Sequence, residues 1–151
     1  MTAVIQRILE ASFVADGVLS AETGHGLYIL LGVMQGDTAE DAALLAEKIS
    51  KLRIFEDEAG KMNLSVQDVD GEIKVVSNFT LAADYSLGNR PSYMGAATPK
   101  IADELYERFV FLMREKVRRE STGKFGAHMC TKMQTDGPVT IVMQSSMLKK
   151  K

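Results

Sequence analysis

The sequence predicts an α+β fold with a mostly antiparallel sheet. Three observations carry this. Several segments have β-type patterning, either alternating or continuously apolar, while only two show helical spacing. The helical segments do not alternate regularly with the strands. No G-x-G-x-x-G occurs, which argues against a doubly wound dinucleotide-binding sheet.

Residues 3–15 read as the first strand, with Val4, Gln6 and Ile8 alternating against Ile5, Arg7 and Leu9. Asp16-Gly17 is a hairpin signal. Gly26 to Met34 is a continuous apolar run, predicting a central strand buried on both faces. Thr38 and Asp41 form a capping-box-like pair. Behind them Ala42, Leu45, Ile49 and Leu52 recur at helical spacing, predicting a helix over 39–52. Turns follow near Ala59-Gly60 and Asp70-Gly71, and Ile73 to Phe79 is the next strand. Glu56-Asp57-Glu58 reads as a solvated turn.

Thr98-Pro99 opens the second helix, an N-cap residue followed by Pro at the first helical position. Ile101, Leu105, Phe109, Leu112 and Met113 supply its apolar face, and the charged residues 114–120 its exposed end. Gly123 marks its expected stop. Phe125 to Met143 reads as extended chain, broken at Asp136-Gly137-Pro138.

Composition narrows the possibilities. The 151 residues suit one domain with a real core, and 46% hydrophobic with 25% charged residues is ordinary for a globular protein. The expected domain is 1–148, with Lys149-Lys150-Lys151 a solvated, disordered tail. No run approaches the ~18 apolar residues of a membrane span. The single Cys130 makes no intrachain disulfide, so a cytoplasmic location is expected. A net charge of −2 argues against broad wrapping of nucleic acid but permits a grip on one RNA end.

The usual catalytic sets are thin. His25 and His128 lack the companions of a zinc site, and no cofactor is expected. His128 and Cys130 sit two apart in an expected strand, where they share a face without their reactive atoms meeting. Cys130 therefore reads as buried and inert. No G-x-S-x-G elbow or phosphate-binding loop is present. Two segments stand out instead: Ser77-Asn78-Phe79-Thr80-Leu81 and Thr135-Asp136-Gly137-Pro138-Val139-Thr140. Pro is normally kept out of strand interiors, so a Gly-Pro directly before Val139-Thr140-Ile141 reads as a turn or as a rigid hook with its carbonyls aimed outward. Taken alone, Thr80 reads as an ordinary β-propensity residue.

Several segments together carry a resemblance. They are Ala3 to Arg7, Leu30 to Val33, Arg53 to Asp57 with Gly60 to Leu64, Ser77 to Asp84, Arg90-Pro91-Ser92, Gly123 to Met129, and Asp136 to Thr140. In order and spacing the chain resembles the D-aminoacyl-tRNA deacylases over essentially its full length. The resemblance implies that family's fold, a mostly antiparallel, barrel-like core with two main helices. It implies hydrolysis of the ester between a D-amino acid and the 3′-terminal adenosine of tRNA, by a homodimer. Gly137-Pro138 would be cis and inserted into the other subunit's site, braced by Arg7. Ser77, Asn78, Phe79 and Thr80 would floor the pocket; Ala102, Phe125 and Met129 would line it. The family has Gln where this chain has Asn78, and usually Asn where it has Thr135. The alternative is a non-catalytic dimer on the same fold that binds a tRNA end or a metabolite.

Overall fold

A computed structural model describes residues 1–20 and 22–149 of the chain. Its axis is β1 (Thr2–Ala15), whose apolar residues alternate between the faces of the sheet. Asp16 and Gly17 turn the chain with positive φ into the short β2 (Val18–Leu19), which folds back on the end of β1. The first half of β1 pairs antiparallel with β3 (Gly26–Gly32), and its other edge pairs antiparallel with β8 (Met129–Gln144). Beyond β3 the order continues through β6 (Glu72–Ser77) to β7 (Arg119–Thr122), both pairings parallel. The six-stranded sheet is therefore mixed, antiparallel around β1 and parallel beyond β3, and curls into a half-barrel. A separate hairpin joins β4 (Phe55–Glu56) and β5 (Met62–Leu64). The Asp57 carboxylate holds its turn by accepting from the Ala59 and Lys61 amides at 2.9 and 3.0 Å.

The two faces of β3 separate two apolar clusters. Leu27, Ile29 and Leu31 join Ile5, Ile73 and Val75 beneath the helices, while Tyr28 and Leu30 pack with Ile8 and Val76 on the opposite face. Helix α1 (Ala39–Ser50) contributes Ala42, Leu45 and Ile49 to the larger cluster, as its spacing predicts. Asp41 caps it: its Oδ2 accepts from the Thr38 N–H at 2.9 Å and from the Thr38 hydroxyl at 3.0 Å. The Ser145 hydroxyl donates to the other carboxylate oxygen at 2.7 Å, and the Lys149 ammonium lies 3.0 Å away. Lys149, expected in the solvated tail, is thus drawn to a buried carboxylate that requires partners. Lys150 and Lys151 lie outside the described residues.

The second helix, α2 (Pro99–Arg114), begins where Thr98-Pro99 predicts but ends at Arg114 rather than near Gly123. Residues 119–122 form β7 instead, because the open edge of β6 offers a ladder that outweighs local helix propensity. The Arg114 guanidinium reaches back to Glu120 at 2.5 Å and clamps the intervening turn. The buried face of α2 is Tyr106, Phe109, Val110 and Met113; Ile101 is exposed. Cys130 is exposed, contrary to its expected burial, because it lies near the outer end of the edge strand β8, opposite the exposed Val14. No helix among the described residues is long and apolar enough to cross a membrane.

Candidate active site

The predicted strand over Ile73 to Phe79 stops at Ser77. There the chain enters a 3-10 turn, Phe79–Ala82. Asn78 makes the break. Its backbone N–H still donates to the Leu31 carbonyl of β3 at 2.9 Å. Its side-chain oxygen then caps the turn by accepting from the Thr80 N–H at 3.2 Å and from the Thr80 hydroxyl. Gly32 permits the turn to settle on the end of β3: a Cβ there would lie 2.9 Å from the Leu81 Cβ and 3.1 Å from the Asn78 carbonyl oxygen. Phe79, first in the turn, has an N–H with no partner inside it.

Above this turn lies a cavity of about 760 Å³. Ser77, Asn78 and Phe79 line it together with Ala102 from the first turn of α2, and Phe125 and Met129 from the chain leading into β8. Six of the ten residues singled out from sequence thus share one cavity. Thr80 belongs to the same turn but directs its hydroxyl to Asn78. Sequence reasoning missed the back wall of Tyr28, Leu30 and Val76, and Tyr93 at the mouth. The period-two facing of β3 is the signal that finds Tyr28 and Leu30. Tyr93 packs edge-on against Phe79 at 5.1 Å, a contact between separate loops that no local pattern announces. His128 also lines the cavity, from a loop rather than the expected strand. Behind the sheet the Tyr106 hydroxyl donates to the Val75 carbonyl at 2.8 Å, and burial pushes its pKa well above the usual phenol range. Among the described residues no group of three or more His, Cys, Asp or Glu is arranged to hold a metal ion.

Arg7, Gly137 and Pro138 do not line this cavity. They form a second constellation on the β1–β8 ladder. Gln6 pairs with Thr140 and Ile8 with Thr135, so Arg7 alone faces the four residues Asp136 to Val139, which bulge out of the sheet. The Gly137-Pro138 bond in this bulge is cis, and both residues are exposed. The position requires glycine: a Cβ at 137 would lie 2.1 Å from the Val139 nitrogen. Arg7, only 7% exposed, donates through Nε to the Asp136 carbonyl at 2.9 Å and through Nη1 to the Ile54 carbonyl at 2.6 Å. The Asp136 carboxylate lies 3.1 Å from Arg7 Nε and 3.8 Å from His25 Nε2.

A curled mixed sheet bearing two helices, with a cavity of backbone groups and apolar walls and a separate projecting Gly-Pro, defines the class of deacylase-fold proteins. The profile of the D-Tyr-tRNA(Tyr) deacylase family matches residues 4–144. The chain is 51% identical to the D-aminoacyl-tRNA deacylase of Thermotoga petrophila over 98% of this chain and 99% of that protein. It is 50% identical to the one from Deinococcus radiodurans, over 95% and 99%. A solved structure described as c-Myc DNA unwinding element binding protein superposes with a TM-score of 0.88 at 39% identity, covering 95% of this chain and 98% of its own. This chain belongs to the D-Tyr-tRNA(Tyr) deacylase family.

Proposed function

We propose that this protein hydrolyses the ester joining a D-amino acid to the 3′-terminal adenosine of tRNA, a chiral proofreading step of translation in the cytoplasm. Membership of the family supports the reaction. The carrying observation for the site is the convergence of Ser77, Asn78, Phe79, Ala102, Phe125 and Met129 on one cavity. An aminoacyl ester is already activated, so positioning and oxyanion stabilisation suffice without a strong nucleophile. The Thr80 N–H is taken by Asn78, which leaves the Phe79 N–H as the donor at this turn for the developing oxyanion. Water adds to the carbonyl carbon and the bond to the ribose oxygen breaks. That oxygen leaves with a proton, releasing the free amino acid and intact tRNA. Thr80, with no base beside it, orients the substrate or water and forms no acyl-enzyme.

The hook stands outside the cavity of its own chain, which supports its action in a homodimer, on the partner's site. There the Gly137-Pro138 carbonyls receive the substrate ammonium group and leave no room for an L side chain, whereas a D side chain points to solvent. Glycine has nothing to exclude, so glycyl-tRNA, above all glycine mischarged on alanine tRNA, is a substrate as well.

Turnover of D-tyrosyl- and L-tyrosyl-tRNA by the purified protein tests this reading. The D ester is hydrolysed and the L ester spared. Binding of both without turnover at stoichiometric enzyme identifies the protein as a non-catalytic tRNA-end binder instead. Complete resistance of glycyl-tRNA at high enzyme contradicts exclusion by the hook alone. Mixed dimers refolded from a hook-defective and a floor-defective subunit regain activity only if the hook acts in trans.

A further inference from the structure

We infer that Asp136 is a positioning residue that fixes the Gly137-Pro138 hook and so sets the stereoselectivity of the site, with His25 as its outer support. The inference rests on the reading of the hook as the chirality filter. A bulge of four residues opposite one has lost the ladder that would otherwise hold it. Its conformation must then be set by side chains. Arg7 grips residue 136 twice, at the carbonyl oxygen at 2.9 Å and at the carboxylate at 3.1 Å. Both contacts are made by Nε, a hydrogen bond to the carbonyl and an ion-pair contact to the carboxylate, so residue 136 is held by its backbone and its side chain together, which a bond to the carbonyl alone would leave free to swing. Arg7 is itself immobilised by the Ile54 carbonyl at 2.6 Å.

On its outer side the carboxylate faces His25 at 3.8 Å, and the His25 ring is seated edge-on against Phe55 at 5.2 Å. The His25 backbone carbonyl accepts from the Glu72 N–H at 3.0 Å, which anchors the loop to β6. Asp136 thus sits between a buried cation and an imidazole, each fixed to a different part of the fold. A hook free to shift by a fraction of an ångström would cease to clash with an L side chain while still admitting the D ester.

The test uses the dimeric protein in its wild-type, Asp136→Asn and Asp136→Ala forms, with two measurements on the same preparations. Backbone 15N order parameters at Gly137 and Val139, relative to β1, read the hook; the ratio of kcat/KM for D- over L-tyrosyl-tRNA reads selectivity. In both variants the order parameters fall from the rigid value of about 0.85 to below about 0.6 and the ratio falls at least tenfold, chiefly through gain of L-ester hydrolysis. Asp136→Glu restores part of the ratio, which a purely structural lesion would not allow. His25→Ala gives a smaller loss, a few-fold. Should Asp136→Ala fail to fold with Arg7 uncompensated, Asp136→Asn carries the test, since it keeps the side-chain volume and the backbone carbonyl. Unaltered order parameters, or an unaltered ratio in a folded variant, overturn the inference. If the wild type itself does not distinguish D from L, the filter reading fails, and the order parameters alone decide whether Asp136 holds the hook.

Discussion

Asn78 shows how a single side chain decides what a backbone segment can offer. By occupying the Thr80 N–H it ends β6, bends the chain into a 3-10 turn and leaves the Phe79 N–H without a partner inside the turn. Replacing Asn78 by Ala removes the cap, with an expected loss of about 1 kcal/mol in urea unfolding. Single-turnover deacylation should fall at least tenfold, because the proposed oxyanion donor, the Phe79 N–H, is no longer held in place. Thr80→Ala is expected to slow deacylation less than tenfold; a trapped acyl-enzyme in the wild type, with complete loss in the variant, would reverse the assignment of Thr80 as an orienting group. The grouping of Ser77, Asn78 and Phe79 at one cavity was legible in the sequence through resemblance. Its mechanism was not, since the capping bond exists only where the ladder to Leu31 ends, and that end is a tertiary event. Cys130 was misread for a related reason: burial follows from which strand edges find partners, not from residue type.

At the level of elements, local chemistry was legible wherever it was self-contained. The Thr38–Asp41 box, the Asp16-Gly17 turn and the Thr98-Pro99 start all occur as read. Where a neighbouring element competes, local chemistry loses, and residues 119–122 become β7 against a helical pattern. The cap of α1 makes a pH prediction. Burial would raise the Asp41 carboxyl, but hydrogen bonds from Ser145, Lys149 and Thr38 together hold it well below the usual carboxylate range. A folded value depressed in this way contributes stability that is complete above the ordinary carboxylate value and is lost as pH falls toward the folded one. Urea midpoints should therefore fall steeply below about pH 4, and Asp41→Asn should flatten that acid limb while lowering the midpoint at neutral pH. For α2, Tyr106→Phe removes one of the two hydrogen bonds that the Val75 carbonyl accepts, the Gly123 N–H keeping the other at 3.0 Å, and should cost about 1 kcal/mol without moving kcat, as thermal melts and turnover would show.

For the molecule as a whole, the α+β class and the antiparallel pairings around β1 could be read from strand patterning. The parallel order β3-β6-β7 could not, because those pairings close over long intervening segments whose registers only the packed core selects. The sheet also encloses Lys74, which is fully buried with its ammonium 4.5 Å from the centre of the Phe13 ring. Burial, aided by the charge of Arg119, lowers its pKa to about 8. Above that value the folded protein has released a proton that the unfolded chain still binds, so stability rises with pH. Relative to Lys74→Met, the wild type should gain stability between about pH 8 and about pH 10.5, measured by urea midpoint. The four-against-one bulge has a genetic corollary: removing the three residues Asp136 to Pro138 would leave Val139 opposite Arg7 and restore one-to-one pairing. On the proposed reading of the hook, an in-frame loss of those three codons with Arg7→Met is expected to leave an esterase that no longer distinguishes D from L, on an unbroken sheet.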